Sequence, residues 1–208
     1  GSVLFVLGSI GELQQQFSFK SFFMTGSVMF LLGGLTQLWQ TIRAWKRSQN
    51  FIVVNFSLGL IGVFAAKAGT IFFNVDSFST WLNLNLVAEA KQLLGRDAYL
   101  AGSLLFLISG IAHYAEIGHG RLLFVERHHL GWWGCTSFLL GSLLYCLSAL
   151  HGFEIAKAWS FNFYTERDSI VLCLSASIVF ILMSICSLAE CSENEVSDRN
   201  SRLAARNG

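Results

Sequence analysis

Long apolar runs dominate the chain, separated by short polar stretches. The runs are Gly1 to Gly11, Phe22 to Trp45, Phe51 to Val75, Tyr99 to Ile117, Leu130 to Phe153 and Ile170 to Ala189. The last five are 19–25 residues long. A helix of about 20 residues, rising 1.5 Å per residue, crosses about 30 Å of hydrocarbon. The runs are continuously apolar rather than alternating, which sets aside a membrane β-barrel. They also lack the polar stripe that a water-soluble helix carries. The pattern predicts an all-α, polytopic transmembrane helix bundle of about six helices. The first run has no basic stretch before it, so it reads as the remaining part of a span and not as a signal peptide. Its opening, Gly1-Ser2-Val3-Leu4-Phe5, nearly repeats Gly102-Ser103-Leu104-Leu105-Phe106 and is therefore read as native sequence.

Composition agrees. Hydrophobic residues make up 53% of the 208 positions and charged residues 13%, about half the charge density of soluble domains. So little charge cannot cover a water-facing surface, whereas a lipid-facing one needs none. The net charge of +1 gives no reason to expect nucleic acid as a partner. The 5 cysteines form no C-x-x-C pair and sit in or at the end of apolar runs, as buried thiols do. The chain has no proline, which favours straight, rigid helices.

Basic residues set the expected orientation. With six spans, Arg43, Lys46, Arg47, Arg121, Arg127, Arg199, Arg202 and Arg206 fall on one side, and Lys20, Lys91, Arg96, Lys157 and Arg167 on the other. This bias places both termini in the cytoplasm or its equivalent. Two connections on the opposite side carry apolar surface of their own. Residues 79–94 read as an amphipathic helix, and 153–164 are rich in aromatics suited to a membrane interface. The polar tail, 191–208, reads as a disordered end or a docking segment.

A short pattern of Phe, two aliphatics and two small residues occurs four times. The copies are Phe5-Val6-Leu7-Gly8-Ser9, Phe30-Leu31-Leu32-Gly33-Gly34, Phe106-Leu107-Ile108-Ser109-Gly110 and Phe138-Leu139-Leu140-Gly141-Ser142. They pair as spans one and two, then four and five. The expected organisation is two three-helix repeats, 1–75 and 99–190, joined by an interfacial connector at 76–98. Small residues let membrane helices approach closely, so Gly8, Gly33, Gly34, Gly110 and Gly141 are expected at helix contacts.

On these motifs, and on the basic stretch Thr41-Ile42-Arg43-Ala44-Trp45-Lys46-Arg47, residues 1–47 resemble the YrhK-like domain, a small bacterial membrane module. Residues 99–151 resemble a second, divergent copy, with the small pair reversed at Ser109-Gly110 and no basic stretch after its second helix. The resemblance implies a helical membrane fold and carries no activity.

Two constellations invite a chemical reading. His113, Glu116, His119, Glu126, His128 and His129 cluster at one turn, and residue types that commonly ligate metals recur there at helical spacing. They are candidate ligands for a metal; for haem the intramembrane candidates are His113 and His151, which fall toward opposite faces. The plainer reading is an interfacial loop beside lipid headgroups. Lys67 lies within a span, where an ionisable residue is a functional candidate by default. It is expected to pair with Glu12 at the end of the first helix, or to snorkel.

Three functional readings follow. The first is a non-enzymatic scaffold or accessory subunit, packing against lipids, other membrane subunits or copies of itself. The second is a metal- or haem-binding redox protein using residues 113–129. The third is a small-solute transporter or channel, suggested by the duplication and by Lys67.

Overall fold

A computed structural model describes residues 1–15, 19–47, 58–82, 88–118, 125, 129–150 and 165–207. Among these, 94% are helical and none is in a strand. The elements are α1 (Ser2–Leu13), α2 (Phe19–Arg47), α3 (Leu58–Trp81), α4 (Ala88–Gln92), a π-helical turn (Leu93–Asp97), α5 (Ala98–Ile117), α6 (Leu130–Ala149) and α7 (Glu166–Asn207). The segments Phe19–Thr36, Leu58–Trp81, Glu89–Ile117, Leu130–Ala149 and Glu166–Glu193 are long and apolar enough to cross a membrane, and α1 is a shorter apolar helix.

The six apolar helices close a ring. Each packs on its neighbour in the chain, α3 packs directly on α5, and α7 returns to α1. Neighbours run antiparallel throughout. Gly8 faces Phe23 while Gly26 faces Phe5; Ser27 is opposite Asn74 while Gly34 is opposite Lys67; Gly141 meets Phe180 while Gly131 meets Glu190.

Aromatic rings fill the axis of the ring. Phe5, Phe30, Phe73, Phe106, Phe138, Tyr145 and Phe180 come from all six helices and touch edge to face or tilted, with Tyr145 and Phe180 stacked. Such pairs contribute about 0.5–1.5 kcal/mol each beyond their buried area. Between helices the contact residues are small. The largest side chains that are fully buried are all serines: Ser9, Ser27, Ser103, Ser109, Ser142 and Ser177. Large apolar side chains such as Phe64, Ile71, Ile108, Leu182 and Ile185 point outward. Lipid rather than water suits that surface, which inverts the soluble pattern of large residues inside.

Polar links tie the helices where hydrocarbon would leave such groups unsatisfied. Asn74 Nδ2 donates to the Ser27 carbonyl at 3.1 Å. The Tyr145 and Ser177 hydroxyls are 2.9 Å apart. Ser148 Oγ donates to the Ser169 carbonyl at 2.9 Å, and Ser169 Oγ returns the bond to the Ser148 carbonyl at 2.9 Å. Two hydroxyls break this economy: among the described residues, Ser109 Oγ and Thr136 Oγ1 are buried without a hydrogen-bond partner. Ser109→Ala is therefore expected to raise the unfolding free energy by about 1 kcal/mol, read as a higher melting temperature in detergent. A lower melting temperature would show that the hydroxyl is satisfied.

Three expectations need correction. Residues 79–94 do not form one interfacial helix. Residues 79–81 complete α3, and 88–94 begin a continuous helix into α5, with Ser79 Oγ donating to the Leu94 carbonyl at 3.1 Å. The disordered-end alternative for the tail is set aside, because α7 runs unbroken to Asn207. The third span ends at Trp81, six residues beyond the expected Val75. The 153–164 segment lies outside the described residues.

Start signals are sharp at α7. Thr165 Oγ1 and Thr165 N–H both donate to Asp168 Oδ2, at 2.7 and 2.8 Å, and Asp168 N–H donates to Thr165 Oγ1 at 3.3 Å. This reciprocal cap is written in the sequence as Thr165-Glu166-Arg167-Asp168. The turn after α1 places Gln15 at φ 55°, the left-handed conformation common just past a helix end, where its N–H bonds the Glu12 carbonyl at 3.0 Å.

Candidate functional site: a charged vestibule at one end of the ring

At the end of the ring where α1 stops, the six helices diverge around a cavity of about 310 Å³. Phe5, Phe73 and Tyr99 line its inner part and belong to the aromatic core or pack against it. Phe19 and Phe23 add further aromatic wall, and Ser77, Thr80, Ser148 and Ser169 supply hydroxyls. Three carboxylates line it, Glu12 from α1, Asp76 from α3 and Glu166 from α7, and two cations, Lys20 from α2 and Arg96 from the π turn. Glu12 is close enough to both Asp76 and Glu166 to feel their charge.

The depth of these groups follows from helix register. Ser27 opposite Asn74 and Gly34 opposite Lys67 set the α2–α3 pairing. On that pairing Lys20 stands level with Trp81 at the rim, more than a helical turn above Asp76. Arg96 and Glu166 are exposed at the mouth. Asp76 is thus the deepest carboxylate, and the Gly69–Gly102 contact puts the π turn beside it, with Asp76 Oδ1 3.8 Å from where a methyl group on Gly95 would lie. Among the described residues its carboxylate has no ion-pair or hydrogen-bond partner. Below it, the aromatic core leaves a void of about 20 Å³ between Phe5, Phe30, Phe73, Phe106, Tyr145 and Phe180, room for about one water.

A second crevice, of about 370 Å³, opens at the opposite end and is lined by Lys67, His113, Cys135 and Glu190 among others. Gly1 stands level with Phe30, so α1 does not border it.

The sequence-predicted sites distribute unevenly over this frame. The Lys67–Glu12 pair is not formed, because the two residues lie at opposite ends of the ring. The register shift in α3 puts Lys67 in the half shared with His113, where its stem runs over Gly34. Of the packing glycines, Gly8 meets Phe23, Gly34 meets Lys67, Gly110 meets Leu139 and Gly141 meets the Phe180 ring. Gly33 does not pack: it is exposed, and a methyl group there would meet nothing within 4 Å. A pair of small residues at adjacent positions points about 100° apart on a helix, so only one can face a given neighbour.

Gly33→Leu is accordingly expected to leave thermal stability unchanged or raised, since glycine disfavours a helix interior by about 1 kcal/mol. Gly141→Leu should lower it by about 1–3 kcal/mol through overpacking. Equal losses in detergent melting curves would contradict this placement.

Of the candidate metal ligands, His113 and Glu116 sit one turn apart, with His113 Nδ1 3.8 Å from Glu116 Oε2. They face Gly62 and Gly59 of α3, whose missing side chains make room for them. His129 forms the N-cap of α6. His119, Glu126, His128 and the haem candidate His151 lie outside the described residues. Among the described residues no group of three His, Cys, Asp or Glu side chains converges as a metal site would.

Known proteins give this geometry no counterpart. The chain matches no family model, no curated protein and no solved structure. The functional argument therefore rests on the vestibule. Its key residue, Asp76, is invisible to a hydropathy reading that ends the span at Val75, because a carboxylate at the edge of an apolar run looks like a boundary. The six further residues of α3 turn that boundary into a cavity wall.

Proposed function

We propose that this chain forms the membrane-embedded body of a small-solute transporter, non-enzymatic and seated in a bacterial inner membrane. The observation that carries this reading is the vestibule, where every helix of the ring contributes and unpaired Asp76 stands above an aromatic septum. Placing a carboxylate within a span is costly, and membrane proteins retain such groups mainly along solute or ion paths. A ring whose only task is packing has no use for a charged cavity on its axis. The septum blocks a continuous aqueous pore, so passage requires the helices to shift, as in alternating access. The basic asymmetry favours a cytoplasmic Lys67 end, with the C-terminal end of α7 on the same side and the vestibule opening outward.

The two-repeat reading supports the same role. Gly69-Thr70-Ile71-Phe72-Phe73 in α3 parallels Ala176-Ser177-Ile178-Val179-Phe180 in α7, extending the Phe motif to the third helix of each unit. Three spans per unit would invert the second copy relative to the first, an arrangement common in transporters. The resemblance to YrhK-like modules fits this organisation of units.

Uptake of a panel of small solutes into liposomes carrying the purified chain tests the proposal. At least one solute is expected to enter faster than into protein-free liposomes and to saturate. Leak rates identical to protein-free controls for the whole panel would remove the transport reading. The scaffold reading draws on a different observation, the girdle of exposed Phe64, Ile71, Leu104, Ile108 and Leu182, which lipids, other subunits or a second copy could cover. Native mass measurement from mild detergent tests it: co-purifying subunits support it, and a lone chain with lipid does not.

A further inference from the structure

The geometry points to a small organic cation, an alkyl- or arylammonium, as the ligand of the vestibule around Asp76. This inference rests on the transport reading for its physiological sense, but binding can be measured without transport.

Sign comes first. The vestibule holds three carboxylates against two cations, Lys20 at the rim and Arg96 with its side chain exposed. The charge met at depth is Asp76, reinforced by Glu12, whose field acts on it. Two negative groups near one another in a low-dielectric setting make a site that a positive charge relieves and a negative one aggravates.

Chemistry of the walls then separates organic from inorganic cations. Calcium and magnesium need six or more oxygen ligands drawn tightly round them. Here the carboxylates come from three different helices around a cavity of about 310 Å³, and the wall between them carries five aromatic side chains, Phe5, Phe19, Phe23, Phe73 and Tyr99. Ring faces cannot ligate a hard metal ion. They do attract an ammonium group by their quadrupole and bury its alkyl substituents at the same time. The volume falls at the small end of ligand pockets, which run from about 300 to 1,000 Å³. A carboxylate that fixes the charge, rings that clothe the carbon, and hydroxyls of Ser77 and Thr80 at the side together describe a receptor for a compact ammonium ion.

The test is equilibrium binding of radiolabelled tetraethylammonium to the purified full chain in detergent. Saturable binding is expected, with Asp76→Asn weakening it roughly tenfold or more, the scale of a partly desolvated charge contact. Glu12→Gln should weaken it by a smaller factor. If Asp76→Asn does not fold, as judged by gel filtration, Glu12→Gln decides alone. Lys67→Met, in the other crevice, should leave binding unchanged. Sodium or potassium in large excess should not displace the probe. Three results would overturn the inference: no saturable binding, unchanged affinity in the folded carboxylate variant, or equal displacement by inorganic cations. Binding without uptake into liposomes would retain the site and discard transport. Uptake of other solutes without tetraethylammonium binding would retain transport and discard this ligand class.

Discussion

Phe180→Ala is expected to lower the unfolding free energy in detergent by about 3–5 kcal/mol, the range for removing a buried aromatic side chain. Phe180 is 3% exposed. Its ring contacts those of Phe30, Phe106, Phe138 and Tyr145, drawn from α2, α5 and α6, and the same ring covers Gly141. Truncation therefore opens a cavity at the point where most of the ring meets, and no single helix can slide in to close it. Tyr145→Phe offers the contrast. It keeps the stacked ring and removes only the hydroxyl shared with Ser177, at about 1 kcal/mol. Thermal melts of the two variants beside the parent check both values. Similar small losses would mean that the axis is loosely packed and that the septum is not a fixed element.

The second large effect concerns the α3–α5 interface, one of the two most extensive in the ring. Gly102→Leu should cost about 3 kcal/mol, the upper end of overpacking, and Gly102→Ala should already be destabilising. A methyl group on Gly102 would lie 3.1 Å from the Gly69 carbonyl oxygen, and one on Gly69 would lie 3.0 Å from the Gly102 carbonyl oxygen. Each glycine thus faces backbone, which cannot turn aside as a side chain can. The two helices would have to separate, and that would draw Phe73 away from Tyr99 and Phe106, whose rings stand 5.3 and 5.2 Å from it. Melting curves test this directly; a Gly102→Leu protein as stable as the parent would contradict the close approach of these helices.

The membrane helices were legible because hydropathy alone decides them. α5 matches its apolar run to within a residue, since Asp97 and Gly118 bound it on both sides. The end of α3 falls beyond the expected one because Asp76 looks like a boundary. That one shift carried Lys67 to the wrong half and hid the carboxylate that matters most. The reach of α7 escaped for another reason: its last turns rest on helix-forming Glu, Arg and Ala, and a search for apolar runs stops where the lipid stops. Gly33 shows the limit of motif reading. Its neighbour Gly34 packs, and nothing in a Gly-Gly pair says which of the two faces a partner.

The most direct test of the vestibule is single-cysteine labelling along α3 with a membrane-impermeant thiol reagent, in an otherwise cysteine-free chain. Cysteines at Thr80 and Ser77, above the septum, should react when the reagent is added from the outer face. Thr70, which borders the small void among the aromatic rings, should stay protected from that side. Protection at both Thr80 and Ser77, or equal reaction at Thr70, would contradict a water-accessible vestibule closed by aromatic rings.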